Sequence, residues 1–229
     1  MSIHKRAACE YVGTAFLVMA IVGSGIMGER LSGGNIALAL LCNSIATGGA
    51  LAALILAFGN ASGAHFNPVV TISEAVKGST ALHSIPAYLV GQFGGGLTGV
   101  ALANSMFGLP PYTLSTRIRS GIPQFVSEIV ATIGLLIIIH YAEKSGVRVA
   151  AIAVAAYITA AYWFVPSTAF ANPAVTIARA LTNTFSGIRP ADTPGFFAAQ
   201  LIGAGLATGF THWISTGTAD QASKQTANL

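Results

Sequence analysis

Apolar positions in this chain do not alternate with polar ones. They run together in long blocks. Six blocks, at roughly 7–28, 36–58, 82–107, 122–142, 147–166 and 195–216, reach the length of about 20 residues that carries a helix across a bilayer. Short polar hinges such as GERLSGGN and AEKSG separate most of them, and a longer connection at 107–123 joins the third to the fourth. Two stretches are left over, 59–81 and 167–194, too short to cross and too apolar for ordinary loops. Each contains an Asn-Pro pair, in HFNPVVT at 65–71 and FANPAVT at 170–176.

Aligned on the Asn, the two stretches agree at seven of twelve positions, from Ala64/Ala169 to Ala75/Ala180. That is an internal repeat. Glu10 in CEYVGT has a counterpart in Glu128 of SEIVAT, and Gln92 in GQFGGG one in Gln200 of AQLIGAG. The unit is therefore span, span, Asn-Pro segment, span. Three spans is an odd number, so the second copy sits upside down relative to the first, an arrangement that places binding sites near the midplane. The sequence predicts an all-α membrane protein: six transmembrane helices plus two re-entrant half-helices in an inverted repeat. The chain reads as one channel domain over 1–229, with repeats at 7–107 and 122–216 and a flexible tail at 217–229.

Asn is a strong helix N-cap, and Pro suits the position after it because its missing N–H would have been an orphan there. Asn67-Pro68-Val69 and Asn172-Pro173-Ala174 are thus helix starts. Inverted repetition brings them together near the membrane centre, each with roughly half a positive charge at its end. Facing one another, the two ends oppose cations, while the Asn amides offer N–H donors to a solute. The expected product is a pore for neutral, hydrogen-bonding molecules.

Composition removes other classes. Charged residues are 8% of the chain and hydrophobic ones 53%, against roughly 25% charged in soluble domains. The net charge of +4 comes from eleven Lys and Arg scattered through short segments, so no nucleic-acid surface forms. Cys9 and Cys42 have neither metal nor disulfide spacing. No nucleophile, metal or phosphate-binding constellation is present, which points away from an enzyme and from any cofactor. The apolar run from Ala7 to Met27 exceeds the roughly 7–15 residues of a signal core and reads as a retained span. With the N-terminus cytoplasmic, six basic residues face inward and five, including Arg119 and Arg179, face outward. HKR ahead of the first span favours this orientation.

The paired Asn-Pro motifs, the Glu10/Glu128 repeat and the six-span plan resemble the aquaporin and aquaglyceroporin (major intrinsic protein) family over about residues 10–213. The resemblance implies a homotetramer in the cell's inner membrane, each subunit with its own pore, passing small neutral solutes passively. It also implies that Glu10 and Glu128 brace the re-entrant loops. Two departures stand out. Val69 replaces the usual Ala of the first motif, and Val175 occupies the place where most members carry a pore Arg. Arg179, one turn onward, is expected to brace the half-helix rather than line the pore. Carrying over the remaining filter positions gives Thr47, Ala160 or Ala161, and Ala169. Such a filter would be wide, uncharged and nearly free of aromatics, similar to bacterial aquaglyceroporins associated with arsenic resistance. The implied solutes are trivalent arsenic (arsenite and its methylated forms), glycerol and water. The alternatives are a general water and glycerol facilitator with no arsenic role, an ion-coupled secondary transporter, and a closed relative acting as an adhesion or scaffold protein. His65, beside the first motif, is a candidate vestibule residue.

Overall fold

A computed structural model describes the backbone of residues 1–226 and the side chains of 1–215. The tail expected over 217–229 falls outside the fully described residues. The elements are α1 (Ile3–Leu31), α2 (Ile36–Ser62), α3 (Pro68–Val76), α4 (Ile85–Met106), α5 (Ile122–Ala142), α6 (Val147–Phe164), α7 (Pro173–Ala180) and α8 (Thr193–Thr226). Single 3-10 turns precede α4, α6 and α8. Among the described residues there is no strand. By length and composition α1, α2, α4, α5 and α6 can each cross a membrane. The sixth expected block lies within α8, which packs on α5 as α4 packs on α1.

The inverted repeat governs the packing. α1 lies against α2 and α4 in the first half, and α5 against α6 and α8 in the second, with α2 and α6 joining the halves. Glycine permits the closest of these approaches. A Cβ at Gly91, Gly95 or Gly99 would strike the backbone carbonyls of Ala7, Tyr11 and Ala15 on α1. On α8, Gly203 is pressed in this way against Ile129 and Thr132 on α5, while among the described residues an added Cβ at Gly205 or Gly209 meets nothing. Large apolar side chains such as Ile45, Leu102, Ile152, Leu201 and Trp213 are exposed on the outer surface, as lipid contact requires.

Candidate functional site

The two half-helices begin where the sequence places them. Asn67 Oδ1 caps α3 by accepting from Val69 N at 3.1 Å. Asn172 Oδ1 caps α7 by accepting from Ala174 N and Val175 N at 3.0 and 3.2 Å. Each side-chain amide also crosses to the other half: Asn67 Nδ2 donates to Ala171 O and Asn172 Nδ2 to Phe66 O, both at 2.8 Å. One N–H of each Asn is thereby spent on tying the half-helices together. An amide has two, so one per Asn remains for a solute. Both Asn line a central cavity of about 330 Å³.

The loops feeding these caps are bent. Ala64 and Phe66 have φ of 51° and 49°, and their counterparts Ala169 and Ala171 have 49° and 45°. Left-handed backbone at a residue with a Cβ costs about 1–2 kcal/mol, so something must hold it. Two buried carboxylates do. Glu10 accepts from Ser62 Oγ and His65 N through Oε1 (2.7 and 3.0 Å), and from Phe66 N and Gln92 Nε2 through Oε2 (2.6 and 2.8 Å). Glu128 accepts from Phe170 N, Ala171 N and Gln200 Nε2 at 2.9, 2.8 and 2.7 Å. The glutamines reach onward: Gln92 Nε2 donates to Thr71 Oγ1 at 2.9 Å and Gln200 Nε2 to Thr176 Oγ1 at 3.0 Å. The sequence repeat is therefore a repeat of the hydrogen-bond network.

Of the expected filter residues, Thr47, Ala169 and Val175 line the cavity. Ala160 and Ala161 do not. Ala160 is exposed on the outer side of α6 and Ala161 is fully buried between helices. The pore stripe of α6 runs Val147, Ala150, Val154, Ile158 and Tyr162, a helical period that points Ala160 the opposite way. Tyr162 ends that stripe on the cavity wall, its hydroxyl 3.1 Å from Thr47 Oγ1. The wall thus carries an aromatic hydroxyl where the sequence suggested only alanine. Val69 is buried towards the α3–α8 seam, and Val70 faces the cavity instead. Ala174 is buried, with its carbonyl beside Gly96 of α4. Pro68 and Pro173 occupy the first helical positions.

Arg179 departs from its expectation. It does brace the segment after α7, donating from Nε to Ser186 O. It is also part of the cavity wall, with its guanidinium 3.4 Å from the centroid of the Phe170 ring. Arg119, from the long connection before α5, approaches the same ring at 5.2 Å and donates to Gly187 O and Ser167 O at 2.8 and 3.3 Å. Burial, and then the neighbouring Arg117, lower the Arg119 pKa to about 10, which leaves it a cation at neutral pH. At the opposite mouth His65 and Glu143 line the cavity. His65 Nδ1 lies 3.0 Å from Thr71 Oγ1, and its ring tilts against Tyr88. Among the described residues no group of three or more His, Cys, Asp or Glu could hold a metal.

Two half-helices meet head to head inside an inverted six-helix bundle, and the Asn that caps each of them lines the cavity between the halves. A family model described as "Major intrinsic protein" matches residues 1–148. The chain belongs to the major intrinsic protein family. It is 47% identical over 212 residues to aquaglyceroporin AqpS of Rhizobium meliloti (strain 1021), covering 93% of this chain and 91% of that one. It is 31% identical over 124 residues to the probable aquaporin NIP7-1 of Arabidopsis thaliana, covering 54% and 44%. The X-ray structure of the aquaglyceroporin from Plasmodium falciparum superposes with a TM-score of 0.72 at 19% identity, over 96% of this chain and all of that one, a likeness of fold. The protein is a multi-pass membrane channel and not an enzyme.

Proposed function

We propose that this chain is a passive channel for small neutral polyhydroxylated solutes, glycerol and trivalent arsenic as arsenite and its methylated forms, with water passing alongside. The observation that carries the proposal is Val175, a short apolar side chain on the first turn of α7 and on the cavity wall. Together with Thr47 and Ala169 it leaves the constriction uncharged and open, and the Thr47–Tyr162 pair supplies hydroxyls for a solute's own. Arsenite near neutral pH is a neutral trihydroxide, so it presents what glycerol presents. The similarity to a protein named an aquaglyceroporin supports the same class. No solute is coupled to an ion in this reading. Glu10 and Glu128, the carboxylates beside the re-entrant loops, have their oxygens engaged by loop amides, and Glu143 stands at the mouth of the cavity rather than beside the half-helix junction.

The assembly is proposed to be a homotetramer in the inner membrane with a cytoplasmic N-terminus, which puts the Arg179 mouth outside and the His65 mouth inside. Stopped-flow light scattering on reconstituted vesicles tests the solute class. Glycerol and a longer polyol should both collapse their gradients much faster than in empty vesicles, and arsenite should accumulate inside. Water flux with no polyol flux would end the proposal. Glycerol flux without arsenite would leave a general facilitator.

A further inference from the structure

The two mouths of the pore differ in charge in a way the repeat makes measurable. Arg179 on α7 and Glu74 on α3 occupy equivalent places in the two copies, seven residues beyond each Asn. Glu74 is neutralised where it stands: Lys77 Nζ lies 2.5 Å from its Oε1, and Ser79 Oγ donates to its Oε2. It is not part of the cavity wall. Arg179 has no such partner. Among the described residues it forms no ion pair and a single side-chain hydrogen bond, from Nε to Ser186 O, which leaves both Nη nitrogens without a protein acceptor. Its side chain is 2% exposed and lines the cavity.

A guanidinium buried without a carboxylate is costly unless something else stabilises it. Here the Phe170 ring lies under it and Arg119 shares that ring, so the site gathers a second positive charge rather than a negative one. The nearby carboxylate, Glu128, has both oxygens occupied by the backbone of Phe170 and Ala171 and by Gln200. Asp192 is held by Arg189 and by the Arg119 backbone. The position uses a cation stripped of counter-charges and aimed into the lumen, in a cleft whose apolar walls concentrate its field.

We propose that Arg179 is the specificity-determining cation of this pore, acting one helical turn from the constriction at Val175. The two are four positions apart on α7, about 6 Å along the axis. Charge selection and size selection are thereby divided between two levels. At the Arg179 level the free Nη donors engage acceptor oxygens of an arriving solute and the positive potential turns cations away; at the Val175 level the pore stays wide. This rests on the proposed solute channel, but its consequence is read from ions rather than from solutes.

The test is sodium leak into reconstituted vesicles, followed with a voltage-sensitive dye, alongside glycerol flux on the same preparations. Wild type and Arg179→Lys are expected to stay at the level of empty vesicles. Arg179→Gln and Arg179→Met, the second chosen because its stem still packs on Phe170, are expected to raise sodium leak by about tenfold or more while glycerol still passes. Adding Val175→Arg to either neutral variant should close the leak again, since it restores a cation to the path. Neutral variants that pass glycerol without leaking sodium would overturn the proposal. So would an Arg179→Lys variant that leaks as they do, or neutral variants that fail to assemble at all, because Arg179 would then be only a brace. If wild type passes no glycerol, the solute reading falls while the leak comparison still stands on its own.

Discussion

Glu10→Gln removes one oxygen from a site that faces four donors and nothing else. A glutamine keeps one acceptor and adds an NH2. The least costly arrangement puts that NH2 at the place of Oε2, where Gln92 can turn its amide and accept with an oxygen that now has no partner. Phe66 N is then left facing a donor. A buried N–H without an acceptor costs about 1–3 kcal/mol, and the bonds from Ser62 and His65 fall from charge-assisted to neutral strength, about 1 kcal/mol each. The sum is about 3–5 kcal/mol. It falls on a loop already bent into the left-handed region at Ala64 and Phe66. The tie on Asn172 should loosen with it, because Phe66 O is the acceptor that holds Asn172 Nδ2. Denaturant or thermal unfolding of the detergent-solubilised protein should show the loss, and glycerol flux should fall with it. A variant within about 1 kcal/mol of wild type with normal flux would mean that Glu10 does not hold the loop.

Three further outcomes follow from single contacts. Gly13→Ala sets a methyl group where the Phe66 ring lies, so it should destabilise by about 1–3 kcal/mol through overpacking, seen as a lower unfolding midpoint. Tyr162→Phe removes the hydroxyl that meets Thr47; with a hydrogen bond of about 1 kcal/mol lost from the path, glycerol permeability should fall about fivefold and water permeability should hold. Asp192 is buried, which alone would raise its pKa, but hydrogen bonds from the Arg189 side chain and the Arg119 backbone bring it below the usual carboxylate value. Its contribution is therefore present above about pH 4 and is lost as pH falls through the lower folded value. Acid unfolding of Asp192→Asn should lack that component, and a profile identical to wild type would refute the assignment.

Much of this architecture is legible in residue order alone, and the reason is repetition. An Asn-Pro pair once is a turn; twice in a shared frame, with Glu10/Glu128 and Gln92/Gln200 in register, it specifies two half-helices and the carboxylates that hold them. Thr47, Ala169 and Val175 follow from counting from Asn67 and Asn172 without a gap, across bends that the two copies share at Ala64/Ala169 and Phe66/Ala171. Tyr162 was missed because that count crosses the irregular loop after α6, where Thr168, Ala169 and Ala171 have positive φ and the distance per residue is not fixed. The stripe Ala150, Val154, Ile158 would have found it by adding one more turn. Arg179 was half understood. Its reach into the lumen depends on Phe170 and on Arg119 from a distant loop, and no local pattern encodes that meeting.

The central claim is that Val175 keeps the constriction open to polyhydroxylated solutes. Val175→Arg, reconstituted and compared with wild type in water, glycerol and arsenite gradients by stopped-flow light scattering, tests it most directly. Wild type should pass all three, and the variant should keep water while losing arsenite and most glycerol. A wild type that passes water alone, or a variant whose glycerol and arsenite fluxes match wild type, would contradict it.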